Sequence, residues 1–420
     1  MPDFPMQPLR IAIIGCGSRG RTYAAIAGKL SDRYKIVAAA DPHPGALDAV
    51  EASAGHPIAR FSDGAALIAA APPADLAIVA TQDHLHLAPA LGALEAGWHL
   101  LLEKPASTTL ADCRAILDAA RKAERSVILC HVLRHTPFYR KVRGIIDSGR
   151  LGRLISIDAT EGVEPFHQAH SFVRGHWSRS ADSSPMILAK SCHDTDLLAW
   201  FAGTPCRRVS SFGSLSFFRP ENAPPGAPAR CTDSCPHSPG CFYDARRYTT
   251  DKRRWLAMLR PDADKLTDEE ILSWLATSPW GRCAWRCDND AVDHQVLALE
   301  FADGLTATFT MTAFDSGRRL TINGTEAVLR GGPGLTDGPG GAELWLRNHR
   351  TGETEPIEIP DDSAPGYEGH GGGDFGLVNA LDGLLATAPP DEWFESHLIA
   401  FAAEQSRLDG GATIDLDGLR

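Results

Sequence analysis

The sequence predicts an α/β domain on a parallel sheet, joined to a larger α+β domain on an open and mainly antiparallel sheet. Three observations carry this. At 420 residues the chain is longer than one hydrophobic core usually organises. Over residues 1–133, short strands that are apolar on both faces alternate with helical stretches, the pattern of a parallel sheet covered on both sides. Over 134–420 the strands instead alternate in polarity, which suits an antiparallel sheet with one face solvated.

In the first domain, 9–14 is an unbroken apolar run that stops at Gly15, and 22–30 follows as a helix. A second run over 35–40 stops at Asp41. Strands over 76–80, 98–102 and 127–130 continue the cycle, with helices such as 65–70 and 110–122 between them. In the second domain, strands are predicted over 155–160, 208–218, 295–301, 306–312, 320–322 and 327–330. Helices over 139–148 and 187–201 are expected to cover one face of that sheet. A Pro- and Ala-rich stretch at 220–230 opens an excursion to about 290, with its best helix over 267–276, and 331–341 is a Gly/Pro-rich loop. Two helices at about 374–407 and a short tail around Ile414 complete the second domain.

The pattern Gly15-x-Gly17-x-x-Gly20 lies between the first strand and its helix. The first glycine permits the tight turn, the second lets a pyrophosphate approach the backbone, and the third lets helix and strand pack closely. The helix N-terminus then faces the phosphate charge, with Ser18 of the turn a candidate contact to the cofactor. Asp41 ends the next strand, about 20 residues on, where a carboxylate binds ribose hydroxyls and repels a 2′-phosphate. The expectation is a Rossmann fold holding NAD rather than NADP, with Arg19 a candidate partner for the pyrophosphate.

Two further strings frame the strand ends: Ala80-Thr81-Gln82-Asp83-His84-Leu85-His86, and Ala96-Gly97-Trp98-His99-Leu100-Leu101-Leu102-Glu103-Lys104-Pro105. Together with the glycine turn they strongly resemble the Gfo/Idh/MocA oxidoreductases, which act on sugars and cyclitols with NAD(P). The resemblance continues through His131-Val132-Leu133-Arg134, Gly149-Arg150-Leu151-Gly152 and His193-Asp194-Thr195-Asp196. It implies that Thr81, His86, Glu103 and Lys104 line the cofactor and that Lys104 also reaches the reacting hydroxyl. Physical chemistry agrees for Lys104. It sits at the carboxyl end of a parallel strand, where such sheets place ligands, and an ammonium beside a cationic nicotinamide has its pKa lowered enough to share a proton.

The chain departs from the family pattern at one point. Members carry an aspartate four residues before the histidine, so that both project from one helix face as a proton relay. Here that position is Ala189. Lys190, three residues before His193, shares the expected helix face. His193 is therefore the expected general acid/base, with Lys190 as its partner or as a substrate-binding cation. Arg174-Gly175-His176-Trp177-Ser178-Arg179 lies where the family places a tryptophan near the nicotinamide, which implies Trp177 as a wall of the site. Arg134, Glu161, His167, Arg174 and Asp194 are further candidates for holding a sugar, with His170 beside them, and the arginines also suit an anionic substituent.

Five of the ten cysteines fall between Cys231 and Cys287. Cys231, Cys235, Cys241 and Cys283 around a structural zinc is one reading; free thiols and an iron–sulfur cluster are the others. The net charge of -12 argues against nucleic acid and anionic lipid as partners. Residues 1–8 lack the charged and apolar regions of a leader, and no run approaches the roughly 20 apolar residues of a bilayer span. A cytoplasmic homodimer or homotetramer, pairing through the outer face of the second sheet, is the resulting expectation.

Taken together, these features support an NAD-dependent dehydrogenase or reductase that moves hydride between nicotinamide and a sugar hydroxyl carbon. The missing carboxylate at 189 keeps two alternatives open. One is a redox-neutral, NAD-assisted glycoside hydrolase that oxidises, eliminates, hydrates and reduces back. The other is a non-catalytic NAD-binding regulatory protein.

Overall fold

In the computed structural model, residues 7–260, 262–361 and 364–420 are described. Of the N-terminal stretch considered above, residues 1–6 lie outside them. Six parallel strands form the first sheet: β1 (Leu9–Ile14), β2 (Tyr34–Ala40), β3 (Ala59–Phe61), β4 (Leu76–Val79), β5 (His99–Leu102) and β6 (Val127–Leu129). Their order is β3-β2-β1-β4-β5-β6, so the winding direction reverses between β1 and β4. At that switch point the connections leave in opposite directions and open the crevice in which such sheets hold ligands. The first helix, Ser18–Lys29, begins four residues before the sequence pattern suggests, because Gly17 is its N-cap and the glycine turn runs straight into it.

The second sheet has nine strands: β7 (Leu154–Val163), β8 (Cys206–Ser214), β9 (His294–Phe301), β10 (Thr306–Thr312), β11 (Ser316–Gly324), β12 (Ala327–Gly331), β13 (Leu344–Asn348), β14 (Thr354–Pro356) and β15 (Ile414–Asp415). They run β14-β13-β12-β11-β7-β10-β9-β8-β15, antiparallel throughout except for the β7–β10 pair. Ile157, Leu297, Leu299, Phe309 and Ile322 point inward and pack with the helices Pro137–Asp147, Cys192–Ala202 and Phe394–Leu408. The short strands β3, β13 and β14 were not apparent from periodicity, since three to five residues give too little alternation to see.

Two elements differ from the sequence reading. The single helix predicted over 187–201 is two, Met186–Ala189 and Cys192–Ala202, with a break at Lys190 and Ser191. The helix Gly373–Thr387, grouped by sequence with the second domain, packs on the first. Leu377, Val378, Leu381 and Leu385 make one apolar stripe against Ile11, Tyr23, Tyr34 and Ile128, and the Tyr34 hydroxyl donates to the Val378 carbonyl at 2.8 Å. Burial of that stripe, at about 25 cal/mol per Å2, explains why the chain returns to a sheet it left some 240 residues earlier.

Between β8 and β9, the described residues of the excursion add no strand to either sheet. They carry the helices Arg253–Leu259 and Asp268–Thr277 and build two small apolar cores, one around Phe166, Tyr248 and Trp280, the other around Phe218, Tyr243 and Trp285.

Candidate active site

The glycine turn is shaped for close approach. Gly15 has φ +89, and a Cβ there would lie 2.6 Å from the Ala80 carbonyl carbon. A Cβ on Gly20 would lie 2.0 Å from the Gly15 oxygen, so this glycine is required for the helix to pack on the turn. At Gly17 the opposite holds: a Cβ would meet nothing within 4 Å. That open face lies at the N-terminus of Ser18–Lys29, a helix end with no capping side chain and no acidic residue in its first turn. The backbone N–H groups are thus left for an anion. Thr81 Oγ1, at the end of β4 beside Gly15, is buried without a hydrogen-bond partner. An open cradle and an orphaned hydroxyl fit a dinucleotide. Asp41 accepts from the Cys16 N–H at 2.8 Å and from the His43 N–H at 2.8 Å, which fixes its carboxylate at the turn.

Other residues assigned to the cofactor act one step back. The Arg19 guanidinium is taken up by Glu103 (2.6 Å), Tyr23 (2.5 Å) and Asp374 (2.6 Å), so it is not available to a pyrophosphate. Glu103 is buried; burial pushes its carboxyl up, but Arg19 and Lys104 outweigh this and hold it below its ordinary range. It also accepts the Lys104 N–H at 2.9 Å. His86 is fully buried and its two ring nitrogens meet the carbonyls of Pro105 (2.8 Å) and Thr81 (3.2 Å), tying together the ends of β4 and β5. Trp177 donates to Asp83 at 2.9 Å, which brings the indole of the second domain against the β4 turn of the first.

Lys104 reaches across the domain junction and donates from Nζ to the Ala189 carbonyl at 2.8 Å. That carbonyl is the one a continuous helix would offer to the His193 N–H, four residues on. The break at 190–191 therefore has a purpose in the site: it frees a backbone oxygen for the lysine. It also sends Lys190 elsewhere. The Lys190 ammonium lies 3.0 Å from Glu161, not against His193, so the expected Lys190–His193 pair is not formed.

His193 is buried at the start of the second helix. Burial, with Lys104, His370, Arg318 and His131 around it, holds its pKa well below the usual histidine range, so the ring is neutral. The rings of His131 and His370 lie 6.3 and 6.1 Å from it, centroid to centroid.

On the second-domain side, Glu161, Lys190 and Asp194 are brought together by a residue not singled out from sequence, Arg318. It lies directly opposite Glu161 in the β7–β11 register, 2.7 Å from its carboxylate, and grips Asp194 with bonds of 2.7 and 3.1 Å. Burial pushes the Glu161 carboxyl up, yet Arg318 and Lys190 together hold it down. For Asp194 burial wins: with the Glu161 anion beside it, its carboxyl is raised well above the ordinary range despite Arg318. His167 borders this group, its pKa lowered to about 3 by burial and then by Lys190.

Three sequence candidates lie outside it. Arg134 is bound to Asp196 by two bonds of 2.7 Å and also to Glu392, so its guanidinium is spent on structure. Arg174 is buried in the excursion, donating to the carbonyls of Arg282 (2.7 Å) and Tyr243 (2.6 Å) and to the Cys231 sulfur at 3.8 Å. Cys231, Cys235, Cys241 and Cys283 line a small cavity with Tyr243 and Trp285. Among the described residues no three His, Cys, Asp or Glu side chains are placed to hold a metal, so the zinc expectation finds no support there. The thiols there pack as small apolar groups on the local core. The site also includes His370 and Asp374, 3.0 Å apart in Gly369-His370-Gly371-Gly372-Gly373-Asp374. The signal available in the sequence was a polar pair set among glycines.

An anion cradle at the switch point of a parallel sheet, faced by a second domain that supplies a neutral histidine, is the architecture of a dinucleotide-dependent oxidoreductase. Residues 9–131 match the oxidoreductase-family NAD-binding Rossmann fold and residues 139–330 the GFO/IDH/MocA C-terminal domain, so the chain belongs to the GFO/IDH/MocA family. YteT of Bacillus subtilis is 30% identical over 261 residues, 61% of this chain and 59% of that protein. Inositol 2-dehydrogenase 1 of Saccharopolyspora erythraea is 32% identical over 48% of this chain and 57% of its own length. Levoglucosan dehydrogenase of Pseudarthrobacter phenanthrenivorans is 30% identical over 47% and 52%. The matches thus span little more than half of these relatives. Among solved structures, a levoglucosan dehydrogenase complex with NADH and levoglucosan has a TM-score of 0.68 at 17% identity, covering 98% of this chain and 100% of that one. WlbA of Bordetella pertussis, in complex with NADH and UDP-GlcNAcA, has a TM-score of 0.65 at 19% identity, covering 98% and 99%. At these identities the likeness is one of fold.

Proposed function

We propose that the protein is an NAD-dependent dehydrogenase or reductase acting at a hydroxyl carbon of a sugar or cyclitol. The observation that supports this is the reach of Lys104 from the end of β5 to the Ala189 carbonyl, which carries a cation from the cofactor crevice to the neighbourhood of His193. When bound, NAD supplies the hydride acceptor. Lys104 orients the substrate oxygen and favours its anionic form, and the neutral His193 takes the hydroxyl proton. Glu161, Lys190, Asp194 and Arg318 offer the mixed donors and acceptors that a polyol needs. Asp41 favours NAD over NADP.

The test is NADH formation from NAD and a panel that includes inositols and levoglucosan, with a Lys104→Ala variant alongside. Turnover in the wild type that survives in the variant would refute the role of Lys104. A second reading rests on the Glu161–Asp194 pair, whose pKa values are pushed apart in the manner of an acid and a base. It is the redox-neutral glycoside hydrolase, for which a second base is needed. Phenol release from aryl glycosides that requires NAD yet accumulates no NADH selects it, and silence in both assays selects a non-catalytic NAD-binding role.

The proposal includes a cytoplasmic homo-oligomer. All ten cysteines are unpaired, as a reducing compartment requires. The outer face of the second sheet carries the paired Phe212 and Val296, 59% and 42% exposed. A monomer by light scattering at assay concentration would remove the oligomer.

A further inference from the structure

The side chain with which the family pattern orients the site histidine is missing here, since position 189 is alanine. His193 Nδ1 is buried and has no hydrogen-bond partner. Nε2 is not sealed off in this way, so it is the nitrogen left to the cleft. The adjacent ring of His131 holds a matching orphan: its Nε2 is likewise buried and unpartnered. Its Nδ1 lies 2.8 Å from Asp196, whose carboxylate Arg134 grips on both oxygens. Burial opposes ionisation of Asp196, but Arg134 outweighs it and holds that carboxyl far below its ordinary range. An ionised carboxylate can only accept. In the neutral His131 ring Nδ1 therefore carries the hydrogen and Nε2 presents a lone pair. Each buried ring nitrogen without a partner costs on the order of 1–3 kcal/mol, a cost that one shared water removes.

We infer that a water bridges His193 Nδ1 and His131 Nε2, so that the His131–Asp196 pair sets the tautomer of His193 in place of the carboxylate missing at 189. The donors run in one direction. Asp196 accepts from His131 Nδ1–H, His131 Nε2 accepts from the water, and the water oxygen accepts from His193 Nδ1–H. His193 Nε2 then keeps the lone pair that takes the proton from the substrate hydroxyl, and returns it in the reverse reaction. No proton travels along the bridge. His131 and Asp196 are positioning residues, and their part in turnover rests on the reading of His193 given above.

Nitrogen-15 NMR of histidine-labelled protein, with and without NAD and with no substrate, tests the bridge independently of that reading. His193 signals are assigned by their loss in His193→Asn. The wild type should show His193 protonated at Nδ1. His131→Phe should lose that bias, and His131→Gln, whose side-chain oxygen accepts from the same water, should restore part of it. NADH binding within about twofold of wild type in each variant reports an intact fold. An unchanged His193 tautomer in both His131 variants overturns the inference. So does the same loss in His370→Asn with His131 intact, because the His370 ring at 6.1 Å would then be the partner. Where a polyol yields NADH, His131→Phe should lower kcat by about 10- to 100-fold, within the range that general acid–base catalysis contributes. It should also move the acid limb of the kcat/KM profile, which a purely structural loss would leave in place. Absence of any polyol turnover in the wild type bears on the proposed activity alone.

Discussion

A methyl group added at Gly17 meets no protein atom within 4 Å, whereas one added at Gly20 would sit 2.0 Å from the Gly15 oxygen. Gly17 has φ -65 and ψ -160, angles open to alanine. In Gly17→Ala, reduced freedom of the unfolded chain gains about 0.4–1 kcal/mol, and alanine is a poorer N-cap than glycine by a similar amount. Unfolding stability should therefore stay within about 1 kcal/mol of wild type. Cofactor affinity should not. The methyl fills the face through which a phosphate approaches the helix N–H groups, and loss of one charged hydrogen bond of about 1.5–3 kcal/mol weakens binding about 10- to 150-fold. Gly20→Ala should behave differently, destabilising the protein itself by about 1–3 kcal/mol through overpacking. Urea unfolding without cofactor and a fluorescence titration with NADH measure the two quantities separately. Wild-type NADH affinity in Gly17→Ala would refute the assignment of the cradle.

Arg134→Ala leaves the Asp196 carboxylate buried with only His131, and should cost about 3–5 kcal/mol in urea unfolding; a loss under about 1 kcal/mol would show that Arg134 is replaceable by water. Burial lowers the pKa of His135 to about 4 and those of His167, His170 and His397 to about 3, below the unfolded value of about 6.5. The unfolded chain then binds more protons below pH 6.5, so stability is full above that pH and falls as pH drops toward 3. Asp194, with its raised pKa, contributes the opposite sign, but four histidines outweigh it, and a Tm that stays flat between pH 7.5 and 4.5 would contradict this. With no ligand set for a metal among the described residues, overnight treatment with a chelator should leave Tm unchanged, and a fall of more than about 5 °C, roughly 4 kcal/mol for a chain of this size, would restore zinc to the cysteine cavity.

Local sequence determined the cofactor domain. The turn Gly15-x-Gly17-x-x-Gly20, the runs that stop at Gly15 and Asp41, and Glu103-Lys104 at a strand end are all contiguous, and their geometry depends on backbone constraints acting within a few residues. The second sheet was legible in part for the same reason, since alternation over five or more residues reports one buried face. What each polar side chain touches was decided only by tertiary structure. Arg318 faces Glu161 because β7 and β11 pair in one register, 157 residues apart in the chain. Arg19 is drawn from the pyrophosphate to Glu103 and Asp374 by a helix that returns from residue 373. Lys190 parts from His193 because the helix breaks at 190–191, where Lys104 meets the freed Ala189 carbonyl and Glu161 takes the Lys190 ammonium. A charge buried beside the cofactor crevice must find a partner wherever the fold supplies one, and periodicity along the chain carries no record of which distant residue that will be.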